Sequence, residues 1–285
     1  MKFFDRSTQQ WRRAANAGRI DGPDGAVFLV PARYDSAPLR ELLRDFDRVL
    51  LRGTILKNTP TTTAGLVDLA GGPVFLKRTN SKGWKFILRY LFRSARAFRS
   101  ARAADHIAGL GIPTPPVLAA GERRSGLCLK GGYIVTGSDT GLRKVNTLFL
   151  GADDPVAVLY GSWEKSAAIL AKLHDHNVIH GDAKFCNFYV AGDGSFGLWD
   201  LDSIRVCRRI PAREIYKDIS LQIASGMIFY RNRKLVPEEN SAFYSPEEQA
   251  ARYCAMYRKH AQFDPDPAIV AAMIRKRFAH WSRKK

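Results

Sequence analysis

Residues 178–206 read VIHGDAKFCNFYVAGDGSFGLWDLDSIRV. His180, Asp182 and Lys184 stand close together, an amide follows at Asn187, and after a glycine-rich turn two acids come one residue apart, Asp200 and Asp202. Two readings fit: a polar hairpin at a surface, or a metal and proton-transfer site. Asp193-Gly194 suits a two-residue type I′ turn, because both residues tolerate the positive φ that turn demands. With that turn, the register places Asn187 opposite Asp200, side chains about 5 Å apart. An amide oxygen beside a carboxylate is hard-oxygen chemistry, suited to Mg²⁺ held with phosphate oxygens. Strand alternation puts Asp202 on the face of Asp200, where it can contribute. Asp182 lies in a loop after a helix end and can accept a hydroxyl proton, while Lys184 can neutralise charge on a transferred group. Singly, GD, GDG and DLD are ordinary turns; jointly, on one hairpin, they favour the site.

Working outward, the chain changes character around this stretch. Upstream lie a helix near Thr8–Ala17, the apolar run AVFLVPARY, and strand-like runs RVLLRGTILKN and AGLVDLAGGPVFLKR broken by TPTTT. A long helix is expected from about Gly83 to Leu110, stopped by GIPTPP, and two further strands at PVLAAGE and GGYIVTG. The second half is mainly helical: WEKSAAILAKLHDH, AREIYKDISLQIASGM, SPEEQAARYCAMYRKH and DPAIVAAMIRKRFAHW. This reads as α+β in two lobes, a small β-rich N-lobe over 1–136 and a larger helical C-lobe over 137–285.

Lys+Arg number 45 against 27 Asp+Glu, a net charge of +18, which should attract polyanions such as nucleic acid, acidic lipid headgroups or acidic proteins. Hydrophobic residues at 46% support a real core. No run suits a signal peptide or a spanning helix, and the four cysteines form no CxxC pair, so a reduced, cytosolic protein is expected, one able to visit a membrane surface. Lys85, Arg89, Arg93, Arg96 and Arg99 share about a third of a helix circumference: a solvated face, or a stripe for an anionic acceptor or membrane. The tail IRKRFAHWSRKK carries six Lys/Arg with Phe278 and Trp281 between them, a membrane contact or a frayed end. His174, His176 and His180 fit no standard zinc spacing; His180 reads as structural, Cys186 as a small packed residue, and Phe188 and Trp199 as core.

HGDAKFCN, the thirteen residues from Asn187 to Asp200, and the preceding LAKLHDHNVI resemble the catalytic segment of protein-kinase-like phosphotransferases, H-x-D-x-K-x-x-N and then Asp-Phe-Gly. HGD…LWDLD, with GIPTP after a basic helix, is most similar to the bacterial lipopolysaccharide core kinases, the heptose and Kdo kinase group, from about Leu50 to Met227. The resemblance implies a two-lobed protein-kinase-like fold and an ATP- and Mg²⁺-dependent transfer to a sugar hydroxyl of lipopolysaccharide core. Asp182 would be the catalytic base, Lys184 a γ-phosphate contact, and Asn187 and Asp200 the metal ligands. Lys77 would hold the α/β-phosphates, Asp218 would brace the catalytic loop, and adenine would meet backbone near Tyr133, Val135 and Thr136, within Tyr133–Gly137. The acceptor implied is lipopolysaccharide core or lipid A-core at the cytoplasmic face of the inner membrane, with an anionic membrane surface and an acidic protein as further partners.

The chain departs from the pattern in three places. NTPTTTAG replaces the glycine-rich loop before Lys77; residues 77–102 hold nine Lys/Arg and no acid to pair that lysine; and Asp200-Leu201-Asp202 replaces Asp-Phe-Gly. Three other readings stay open: a protein or aminoglycoside-type kinase, a pseudokinase, or a basic binding module. No helix-turn-helix, RNP or zinc-finger signature supports nucleic acid as the partner.

Overall fold

A computed structural model describes residues 6–80, 83, 95–138, 142–149, 152–237 and 241–282. The chain divides into two units, residues 1–106 with 115–140, and residues 107–114 with 141–285.

The first unit is built on a seven-stranded sheet in the order β1-β2-β6-β7-β5-β4-β3. These strands are β1 (Gly18–Asp21), β2 (Ala26–Val30), β3 (Thr54–Thr59), β4 (Thr62–Leu69), β5 (Gly72–Asn80), β6 (Val117–Ser125) and β7 (Cys128–Gly137). Every neighbouring pair is antiparallel. Helix α1 covers Arg6–Ala14; α2 (Ala37–Arg44) starts at Ser36, whose hydroxyl accepts the Leu39 N–H, and α3 follows at Phe46–Arg52. Leu39, Leu42, Leu43, Phe46 and Leu50 of α2 and α3 bury with Phe28, Leu76, Tyr133 and Val135 of the sheet into one core. RVLL, expected as strand, is instead helix: α3 turns Phe46 and Leu50, one helical turn apart, to that core and leaves Leu51 exposed.

Of the helix expected over 83–110 the described residues show α4, Arg96–Gly109, preceded by Ala95, whose N–H bonds Glu122 Oε2 at 3.1 Å. Lys85, Arg89 and Arg93 lie outside the described residues. Asp105 of α4 receives Trp11 Nε1 at 2.7 Å and Arg33 at 2.6 Å, which ties α1 and α4 together.

The second unit is helical. Its long helices are α5 (Pro155–Asp175), α6 (Ala212–Asn232), α8 (Pro246–Arg258) and α9 (Pro267–Ser282), with a short α7 (Ser241–Tyr244). Caps explain two starts: Asp154 accepts Ala157 N–H at 3.0 Å ahead of Pro155, and Ser245 accepts Glu248 N–H at 3.3 Å ahead of Pro246. Helix α6 packs on α9, α9 on α8 and α8 on α5. Two small sheets interrupt the helices, β8 (Arg143–Lys144) with β10 (Phe188–Val190) and β11 (Phe196–Leu198), and β9 (Val178–Ile179) with β12 (Arg205–Val206). Among the described residues no helix is long and apolar enough to cross a membrane.

Candidate active site

After α5 ends, Asn177 adopts a left-handed φ of 58° and reverses the chain; its carbonyl accepts Cys207 N–H and its side chain accepts Ile210 N–H. This seats β9 against β12 and delivers the HGD loop onto α6. There Asp218 of α6, almost wholly buried, accepts the N–H groups of His180 at 2.8 Å and Gly181 at 2.9 Å, and pairs with His174 Nε2 at 3.4 Å. Burial opposes ionisation, but the His174 hydrogen bond, the nearby imidazoles and the His180 N–H hold the Asp218 carboxyl below the usual carboxylate range. Ser225, two turns further along α6, accepts Phe185 N–H at 2.8 Å. The brace role expected of Asp218 thus has direct contacts, and sequence reasoning missed Ser225, which nothing but its position on the Asp218 helix would have marked.

Gly181 stands at φ +77°, and a Cβ there would sit 2.7 Å from the Ser203 carbonyl oxygen, so only glycine fits. Half-buried Asp182 follows. Lys184 Nζ lies 2.9 Å from Asp182 Oδ1 and 3.0 Å from Oδ2, while Asn187 Nδ2 donates to the Asp182 carbonyl at 2.8 Å and to Oδ2 at 3.3 Å. The structure therefore gathers Asp182, Lys184 and Asn187 into one hydrogen-bonded turn. His180 is fully buried against Phe188, its ring nitrogens without hydrogen-bond partners among the described residues; desolvation pushes its pKa down, with Asp218, Asp182 and Asp200 as the opposing carboxylates. His174 binds Tyr257 Oη through Nδ1 at 2.9 Å, and His176 Nδ1 lies 2.8 Å from Lys172 O.

The hairpin differs from the expectation. Ala191 N–H bonds Ser195 O, Gly194 N–H bonds Ala191 O, and Phe188 pairs with Leu198. The loop is three residues, Gly192-Asp193-Gly194, with Gly194 at φ +79° closing it. The register slips by one, so Asn187 lies opposite Trp199, whose N–H it accepts at 2.8 Å, and not opposite Asp200. Asp200 comes just past the ladder at φ 47°, ψ 66°, exposed, leading into a 3₁₀ turn over Leu201–Ser203. Strand alternation consequently says nothing about Asp202, which belongs to that turn. Two smaller expectations also change: Cys186 is exposed and Trp199 only half-buried, its indole edge-on to Tyr189.

Among the described residues no group of three His, Cys, Asp or Glu could hold a metal. The pair in question is instead an amide and a carboxylate. Asn187 is oriented through its nitrogen by Asp182, and among the described residues its Oδ1 has only the weak Cys186 thiol donor at 3.8 Å. Hard oxygen donors of this kind suit Mg²⁺.

In the first unit, Lys77 is half-buried in the middle of β5, paired with Ala64 and Ile134, and by alternation points away from the Leu76 core. Tyr133 and Val135 are buried in that core, and residues 133–136 are paired on both edges of β7; Gly137 and Ser138 donate to Pro116 and Pro73 carbonyls. The backbone expected to meet adenine over 133–137 is thus committed to the sheet, and the turn TPTTT is a tight β3–β4 hairpin in which Thr59 Oγ1 bonds Thr62 N and O.

A search of curated proteins finds no match. Among solved structures, one titled "WaaP in complex with acyl carrier protein" matches with TM-score 0.57 at 17% sequence identity, over 85% of this chain and 95% of that one, a likeness of fold. The sequence model of the "Lipopolysaccharide kinase (Kdo/WaaP) family" matches residues 52–244. That span takes in β3 through α7 and more than half of the chain, which belongs to the lipopolysaccharide kinase (Kdo/WaaP) family, a family of kinases.

Proposed function

We propose that the protein is an ATP- and Mg²⁺-dependent phosphotransferase acting on a sugar hydroxyl, heptose or Kdo, of lipopolysaccharide core, in a two-lobed protein-kinase-like fold. The observation that carries this is the turn in which Lys184 and Asn187 both bind the Asp182 carboxylate while Asp218 fixes the loop backbone. A carboxylate so held has few rotamers left to lose when a hydroxyl arrives, which is where positioning lowers the barrier.

Asp182 takes the acceptor hydroxyl proton as that oxygen attacks the γ-phosphorus, and later releases it to water. Lys184 swings its ammonium from Asp182 to the transferring phosphoryl oxygens. Asn187 and Asp200 would hold Mg²⁺, which when bound neutralises phosphate charge. Lys77 is assigned to the α/β-phosphates, and the adenine contact to the Tyr133–Gly137 segment at its Gly137 end, where β7 stops. Asp202 is left as a further oxygen donor beside Asp200. The +18 charge suits an anionic acceptor, the anionic cytoplasmic face of the inner membrane, and an acidic protein partner; the neighbour's title names a protein partner, an acyl carrier protein.

The test is ATP turnover with purified core lipopolysaccharide. We expect Mg²⁺-dependent ADP release that the acceptor stimulates and Asp182→Asn lowers by about 10²–10⁴-fold. Equal turnover in parent and variant would remove Asp182 from its role; ATP binding without turnover on any acceptor would favour a pseudokinase.

A further inference from the structure

Beside the Gly181–Lys184 loop lies a cavity of about 700 Å³, contained wholly within the second unit. The loop forms one wall, α6 a second and α9 a third, the last through Met273, Lys276, Arg277, His280 and Trp281. Most charges around it are already matched. Arg205 and Lys217 both bind Glu214, Lys184 binds Asp182, and Asp218 serves the loop N–H groups.

The cations of α9 differ. Arg277 Nε donates to Ser220 Oγ at 3.2 Å and Nη2 to the Lys217 carbonyl at 3.0 Å, both neutral acceptors. Neither Arg277 nor Lys276 has a carboxylate at ion-pair distance among the described residues, whereas Arg275, on another face of the same helix, pairs with Glu247. Arg277 is half-buried, and desolvation lowers its pKa against the pull of Asp218 and Asp182. A guanidinium clamped along one edge presents its remaining N–H groups in a fixed fork, the geometry that grips a phosphate or carboxylate. Leu221, Met273 and the half-buried Trp281 supply apolar surface next to it, and an indole face accepts the C–H face of a sugar ring.

We propose that Arg277, with Lys276, reads an anionic group on the acceptor, so that this kinase takes a saccharide already bearing a phosphate or carboxylate near the hydroxyl it phosphorylates, with Trp281 as the platform for the ring. The inference rests on the reading of Asp182 as the base at this cavity. It assigns the acceptor end of the site to α9, distant in sequence from the catalytic loop.

The experiment uses the full chain and two probes: core oligosaccharide released from lipopolysaccharide, and the same oligosaccharide stripped of phosphate and with its carboxyls reduced to alcohols. Binding is measured by calorimetry and transfer by radiolabelled ATP. Arg277→Met and Lys276→Gln should each weaken binding of the anionic oligosaccharide about tenfold or more, the scale of a lost charge-assisted pair, and raise its KM accordingly. Arg277→Lys should fall between, since it keeps charge and loses the fork. The stripped oligosaccharide should bind parent and variants alike, and the KM for ATP should not move. Because Arg277 also braces α6, Lys276→Gln at its exposed position keeps the test open should Arg277→Met fail to fold.

Unchanged binding of the anionic oligosaccharide in Lys276→Gln and in a folded Arg277 variant overturns the proposal. So does an equal loss with the stripped probe, failure of the parent to bind either probe, or a raised KM for ATP, which would give these cations to the donor. Selective binding of the anionic probe without phosphate transfer would instead defeat the proposed function and leave this subsite standing.

Discussion

Asp218 shows how one buried acid can fix the backbone of the His180–Lys184 loop. It holds two backbone N–H groups that no other described acceptor takes, so Asp218→Ala leaves both orphaned. We expect that variant to lose at least about 2 kcal/mol in urea unfolding, roughly 1–3 kcal/mol per buried donor left unpaired, along with phosphotransfer activity. His180 supplies a pH dependence. Its pKa in the folded chain lies below the ordinary 6.5, so the unfolded chain binds the proton more readily in between. Stability is therefore complete above pH 6.5 and falls as the pH drops from there through the folded-state value. Asp218, also depressed, adds a second loss only below its ordinary 3.8, as the pH falls through its own folded value. A His180→Phe variant that still folds should flatten the first limb and leave the second; an unaltered limb just below pH 6.5 would remove His180 as its cause.

At the scale of elements, two glycines with similar positive φ separate backbone cost from crowding. Gly194 closes the hairpin loop with open space for 4 Å around the position a Cβ would take, so Gly194→Ala costs only the left-handed backbone, about 1–2 kcal/mol. Gly181→Ala adds a contact of 2.7 Å with the Ser203 carbonyl, and should cost more and reduce kcat, because the shift moves Asp182. Equal destabilisation of the two, read from denaturant midpoints, would contradict this. The same hairpin shows the limit of turn rules: Asp-Gly correctly marks a reversal, but whether glycine is the second or third loop residue turns on one φ angle, and that choice shifts every cross-strand partner by one. Helix α9 was legible as a helix, and Met273, Arg277 and Trp281 recur at helical spacing, yet spacing could not say that this face closes a cavity beside residues nearly a hundred positions away.

Over the whole molecule, +18 is a long-range property needing no particular contact. Association with vesicles containing anionic lipid should be strong at about 0.1 M salt and largely lost near 1 M, as the screening length shrinks from about 10 Å to about 3 Å. Salt-independent association in a sedimentation assay would point to apolar insertion instead. The amino-acid order alone determined the β-rich first half and helical second half, the positions of most helices, and the HGD…N…DLD spacing that carries the family resemblance. These follow from local rules: periodicity, caps, prolines and turn residues act within a few positions. Tertiary structure alone decided that RVLL is helix, that the Ala95 N–H ahead of α4 goes to Glu122, that the hairpin slips by one, and that Tyr133 and Val135 belong to a core. It also brought Arg277 and Trp281 to the cavity beside the Gly181–Lys184 loop. Each of these outcomes depends on what packs against a segment, and a partner distant in the chain leaves no trace in the local pattern.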